Sequence, residues 1–127
     1  MELIMTIDIK INSSEFVQGK NMGVCMIDFE GAAHSDYFNG KVIGTGVDTQ
    51  RIHPDKTCFI SARYMLEGVD AANNPCRIFI ENNGSDFNNC KPSIVTNSPL
   101  LQDLEDATLK GTITPCDGGV IIHIYRL

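Results

Sequence analysis

The sequence predicts an all-β domain: a closed antiparallel β-barrel of about eight strands, mostly an up-and-down meander, with at most one short helix. Three observations carry that expectation. Hydrophobicity alternates with period two along most of the chain rather than with the helical period. Two hairpins find their register from side-chain chemistry alone. Glycines gather inside one apolar stretch, where the strands of a barrel must bend. The 127 residues suit a single domain, 1–127, with one core. Eight strands with their turns account for this length, and a barrel of that size is filled by side chains or holds one small ligand.

Taken in order, Leu3, Met5, Ile7, Ile9 and Ile11 are apolar while Thr6, Asp8 and Lys10 are polar, which reads as a strand with one wet face. Asn12 to Asn21 is turn-rich, and Met22 to Glu30, apolar on both faces, is the next strand. Tyr37 to Val47 carries Gly40, Gly44 and Gly46. It lacks the Lys-Ser/Thr ending and the following helix of a phosphate loop, so these glycines read as bends. Cys58 to Glu67 and Cys76 to Asn82 flank a turn-like segment, Gly68 to Pro75. Pairing Leu66 with Ile78, Tyr64 with Ile80 and Ala62 with Asn82 fills one face. The other face then matches Glu67 with Arg77, Met65 with Phe79 and Arg63 with Glu81, two opposite-charge pairs that a one-residue slip would destroy. Asn83 to Pro99, rich in Asn and Ser, has the composition of a long loop. Leu100 to Ala107, after Ser98-Pro99, is the one stretch with a helical look. Asp117-Gly118 signals a type I′ turn that pairs Ile113 with Ile122 and Gly111 with Ile124, and on the opposite face Thr112 with His123 and Lys110 with Tyr125.

Charge and composition exclude several functions. A net charge of −6 repels phosphate backbones, and Lys41 and Lys91 are isolated rather than part of a basic patch, so nucleic acid is not an expected partner. No apolar run is long enough to span a bilayer, and Met1 to Thr6 has no basic segment of a secretory signal. The expected location is cytoplasmic. The five cysteines show no C-x-x-C spacing and no histidine partner at finger spacing, so they read as reduced thiols acting as small core hydrophobes. No metal and no cofactor is expected. His34, His53 and His123 share no ligand spacing; His34, close to Asp36, would serve as a base only if a pocket opened there. No G-x-S-x-G elbow is present, and no cysteine has an activating neighbour in sequence.

The runs Gly40-Lys-Val-Ile-Gly44-Thr-Gly46-Val-Asp48, Ala62-Arg63-Tyr64 and Ile80-Glu81-Asn82-Asn83-Gly84 resemble an uncharacterised family of small bacterial proteins, the domain-of-unknown-function 3237 group. That family shows a glycine-rich stretch ending in Asp-Trp, an A-R-Y-x-L strand, and a strand closing on an N-x-G-like turn. The resemblance covers about residues 19 to 84. Thr49 stands where the family has tryptophan, and Ala71 to Pro75 replaces its central Asp-Gly. The resemblance implies a barrel of about eight strands and no particular activity.

The candidate ligand-binding residues are Asp48, Tyr64, Asn82, Arg63 and Glu81. Tyr64 and Asn82 fall on the face assigned to the interior, and Asp48 sits past the glycine bend near a barrel end. A phenol, an amide and a carboxylate converging in an apolar cup suit a small ligand. Their structural alternatives are a core aromatic with its hydroxyl at the rim and two turn-satisfying polar groups. Arg63 and Glu81 read as an exposed ion pair. The inverse arrangement puts them inside a polar lumen and turns Tyr64, Ile78 and Ile80 outward into an oligomer interface. The leading expectation is a protein that binds a small, partly apolar molecule in the lumen. Alternatives are a cofactor-independent isomerase, cyclase or lyase using Asp48, Tyr64 and Arg63, and a solid barrel serving structure or protein contact. No membrane partner is expected, and a homo-oligomer stays open.

Overall fold

A computed structural model describes all 127 residues. Nine strands follow in chain order: β1 (Glu2–Gln18), β2 (Gly23–His34), β3 (Phe38–Val42), β4 (Gly46–Ile52), β5 (Cys58–Asp70), β6 (Pro75–Gly84), β7 (Lys91–Thr96), β8 (Leu109–Cys116) and β9 (Gly119–Arg126), with one short 3₁₀ turn at Gln102–Glu105. β3 and β4 both lie between β2 and β5, so they are two pieces of one stave. The nine strands therefore make an eight-stave antiparallel meander. β1 pairs with β9, and the β7–β8 seam is closed beside β7, where Cys90 and Gly111 exchange backbone hydrogen bonds of 2.9 Å. The break between β3 and β4 falls at Ile43–Thr45, where Gly44 takes φ +60°. No helix is long and apolar enough to cross a membrane.

Both expected registers form, from Leu66 opposite Ile78 to Arg63 opposite Glu81, and from Ile113 opposite Ile122 to Lys110 opposite Tyr125. Four local expectations are corrected. The stretch Asn12 to Gln18 is strand rather than turn. Its pairing with β9 ends at Lys10, so it runs on as an outer edge paired with β2 alone, where Asn, Ser and Glu are tolerated because they are wet. Strict alternation fails at the start of β1: a bulge between Leu3 and Met5 turns Leu3 outward and buries both Ile4 and Met5. Lys91 to Thr96 is also strand, with Pro92, Ile94 and Thr96 inward and Lys91, Ser93 and Val95 outward. Pro92 fits because the other side of β7 carries no named ladder, so its missing N–H breaks none. At Asp117-Gly118 only Gly118 has positive φ, +76°, whereas a type I′ turn needs both residues there.

The inward faces form one core. At one end, the link from β7 to β8 folds under the barrel and inserts Leu101 and Leu104, each 2% exposed, beside Leu66, Ile78 and Ile124. The helical expectation for Leu100 to Ala107 shrinks to the single 3₁₀ turn within this plug. The buried polar side chains Asp70, Thr96 and Ser98 are paired here. Ser98 Oγ donates to Asp70 Oδ2 at 2.8 Å, Asp70 Oδ1 accepts from the amides of Ala72 and Asn74, and Thr96 Oγ1 donates to the Arg77 carbonyl at 2.8 Å. The Ser98 bond is the main reason the Asp70 carboxyl lies below its ordinary range.

Candidate functional site

The opposite end is not filled. A cavity of about 220 Å³ lies there, and ten of its thirteen lining residues are apolar. Ile9 comes from β1, Ile27 and Phe29 from β2, Ile60 and Ala62 from β5, and Ile122 from β9. The polar ones are Asp48, Gln50 and Asn82. Strand parity places them: Gly46, Asp48 and Gln50 are every second residue of β4, and Asp48 stands between Ile27 on β2 and Ala62 on β5. Ala62 in turn pairs with Asn82. One transverse row of the barrel thus carries a carboxylate, a methyl group and an amide.

Gly46 sets the floor. A Cβ at that position would stand 2.5 Å from Phe29 Cζ and 2.8 Å from Tyr64 Cβ, so only glycine lets these rings close beneath Asp48. Phe29 and Tyr64 meet edge to face with centroids 5.4 Å apart. Phe29 lines the cavity; Tyr64 lies in the core beneath it, 3% exposed. Its hydroxyl is enclosed and has no hydrogen-bond partner in the protein, so it is not at the rim.

Asp48 Oδ2 accepts a hydrogen bond from Gln50 Nε2 at 2.9 Å, while Asp48 Oδ1 has no partner. Burial raises the Asp48 carboxyl above its ordinary value, against the opposing pull of Gln50 and the Ser61 backbone. Asn82 is 2% exposed, and its Oδ1 is likewise unpaired. Two of the three polar residues in this otherwise apolar lining, Asp48 and Asn82, thus carry an oxygen that the protein leaves unsatisfied.

Arg63 and Glu81 are not among them. Each lies one residue from inward neighbours, so each points outward; Arg63 Nε stands 3.4 Å from Glu81 Oε1, and the Arg63 side chain is 65% exposed. The arrangement with these charges in the lumen is thereby corrected, as is an anion-holding role for Arg63 inside it. His34 Nε2 meets Asp8 Oδ2 at 3.0 Å on the exterior, away from the cavity. All five cysteines are free thiols. Burial, first of all, pushes the thiols of Cys58, Cys76 and Cys90 above their ordinary value, which makes them poor nucleophiles. No cluster of three or more His, Cys, Asp or Glu side chains is placed to hold a metal.

Gln50 and Phe87 line the cavity although the sequence did not single them out. Gln50 was within reach, since period two carries the inward face from Asp48 to it. Phe87 was not: it stands alone in a polar loop and is held over the mouth by its carbonyl, which accepts the Ile113 amide at 2.8 Å.

Comparisons with known proteins agree on the fold. The family described as Protein of unknown function (DUF3237) matches residues 1–92. A UPF0311 protein of Clostridium acetobutylicum is 44% identical over 54 residues, 42% of this chain and 32% of that protein, so the match spans about a third of its length. A solved protein of unknown function from the same organism superposes with a TM-score of 0.87 at 23% identity, covering 99% of this chain and 97% of its own. An enzyme from Penicillium herquei superposes with a TM-score of 0.79 at 15% identity, covering 99% and 92%.

Proposed function

The chain belongs to the DUF3237 family, and from that premise we propose that it binds a small, largely apolar molecule at the open end of its barrel, through Asp48, Gln50 and Asn82. One observation carries this reading. Asp48 and Asn82 line an apolar cavity and each keeps an enclosed side-chain oxygen with no protein partner, whereas Asp70, Thr96 and Ser98 at the plugged end are bonded. A buried acceptor left unpaired costs about 1–3 kcal/mol, so a polar group placed this way calls for a ligand to bond it. The cavity of about 220 Å³ exceeds the roughly 150 Å³ that encloses a benzene ring. A single substituted ring carrying one or two hydrogen-bond donors fits it. Reduced thiols and a cytoplasmic setting belong to this reading, as do the absence of a cofactor and of nucleic-acid partners. A cavity of this size argues against the solid-barrel alternative.

Native mass spectrometry of the freshly purified protein, followed by calorimetric titration with simple phenols and amines, tests it. Ala62→Leu places a larger side chain in the cavity wall between Asp48 and Asn82, so it should abolish binding and leave the outer face untouched. Probes that bind wild type no better than Ala62→Leu would end this proposal.

The Asp48 carboxyl supports a second reading, a cofactor-independent isomerase, cyclase or lyase. A carboxylate with raised proton affinity and one free oxygen in an apolar cup is suited to taking a proton from a bound carbon acid. A neighbour of the same fold is described as an enzyme. On this reading Asp48→Asn loses turnover while the same ligands still bind, and retained turnover would reject it.

A further inference from the structure

The outer wall carries a feature that ligand binding does not use. Ile43, just past the end of β3, and Met65, Phe79 and Val95 on β5, β6 and β7 form one transverse row. Met65 pairs with Phe79 and Phe79 with Val95, while the Ile43 amide donates to the Met65 carbonyl at 2.8 Å. Ile43 and Met65 are each 39% exposed and Val95 is 58% exposed. An apolar row spanning several strands of an outer face is the kind of patch that marks a contact surface.

The charges around it say what covers it. Two residues before and after Met65 on β5 stand Arg63 and Glu67; two residues before and after Phe79 on β6 stand Arg77 and Glu81. Within the chain they bond in pairs, Arg63 with Glu81 above the row and Arg77 with Glu67 below it at 2.8 Å. The sign of charge therefore reverses across the row on both strands.

We propose that this face is the interface of a two-fold dimer of the chain, with the symmetry axis lying along the row Ile43–Met65–Phe79–Val95. That axis lays β5 on β5 and β6 on β6, running oppositely. Arg63 of one copy then stands over Glu67 of the other, and Glu81 over Arg77. Symmetry repeats each contact, so four opposite-sign contacts frame the buried apolar row. The alternative axis, along β6, would set Glu81 on Glu81 and Arg77 on Arg77. The four charges sum to zero, which gives no attraction for a nucleic acid or an acidic peptide, while their order along the two strands complements itself.

Sedimentation equilibrium on the full chain tests this. Wild type should sediment at twice the monomer mass of 14.0 kDa. Swapping one row, Arg63→Glu with Glu81→Arg, keeps the pairing within the chain but sets like charges against each other across the axis. Dimerisation should weaken by roughly a hundredfold or more, summed over four contacts that change from attraction to repulsion. Swapping both rows, by adding Glu67→Arg and Arg77→Glu, restores every opposite-sign contact and should restore the dimer. Circular dichroism of each variant confirms the barrel. A monomeric wild type overturns the proposal, as does a row swap that still dimerises like wild type. A double swap that stays monomeric while folded overturns the axis.

Discussion

Replacing Tyr64 with phenylalanine removes one hydroxyl from the barrel interior and keeps its packing. The residue is 3% exposed, and its oxygen finds no partner in the protein. The ring is retained, and with it the edge-to-face contact to Phe29 at 5.4 Å. A hydroxyl at the rim would leave the substitution costing about 1 kcal/mol or less. A buried unpaired hydroxyl reverses the sign: removing it relieves a desolvation penalty of about 1–3 kcal/mol, so Tyr64→Phe should gain about 1 kcal/mol. Burial also drives the phenol's ionisation far above neutral pH, so the effect should not vary there. Urea unfolding should show a higher midpoint with an unchanged slope, and thermal melting a rise of about 3–6 °C. Because Phe29 separates Tyr64 from the cavity, ligand affinity should stay within about twofold, less than 0.5 kcal/mol. A loss of more than about 1 kcal/mol at unchanged slope would mean the hydroxyl is bonded, and the reasoning would fail.

The other expectations follow from the same geometry. Gly46→Ala drives a methyl group to within 2.5 Å of Phe29 Cζ, so it should cost about 1–3 kcal/mol by overpacking, read by urea unfolding, and should weaken ligand binding by displacing the floor. Asp48 binds its proton more tightly folded than unfolded. Its contribution therefore favours the fold at low pH and is lost as pH rises from the ordinary carboxylate value through the raised one. Asp48→Asn should remove that slope and gain on wild type across this window; parallel pH–stability curves would refute it. The five free thiols should all alkylate after denaturation without reductant, and an intact-mass spectrum with fewer adducts would reveal a disulfide.

Much of the fold was legible because period two is a geometric property of the strand. The β5–β6 register could be read without coordinates since Glu67–Arg77 and Arg63–Glu81 coincide in one alignment only, and each pair forms. The same parity turned Arg63 and Glu81 outward and Asn82 inward. What failed was local chemistry at places where tertiary context decides. Asn12 to Gln18 looks like a turn, but a polar strand is stable once β2 supplies its hydrogen bonds. Lys91 to Thr96 holds only Ile94 as a strongly apolar inward residue in a stretch rich in Asn and Ser, and its Pro92 is tolerated because β7 carries no named ladder on its other side.

The site was legible to a lesser degree, for a physical reason. Sequence parity can say that Asp48, Tyr64 and Asn82 face inward, but not how deep each lies or whether its polar atoms are bonded. Depth separates Tyr64, shut beneath Phe29, from Asp48 and Asn82 on the cavity wall. Bonding separates the two ends of the barrel. Asp70 is as awkward a residue to bury as Asp48, yet Ser98 and two backbone amides satisfy it, and its carboxyl moves down while that of Asp48 moves up. Folding alone favours the arrangement at Asp70, because unpaired buried acceptors cost stability and nothing within the barrel repays them. The chain resolves this problem at Asp70 and leaves it open at Asp48 and Asn82, beside a cavity that Ala62 lines, which is why the proposed ligand is placed there.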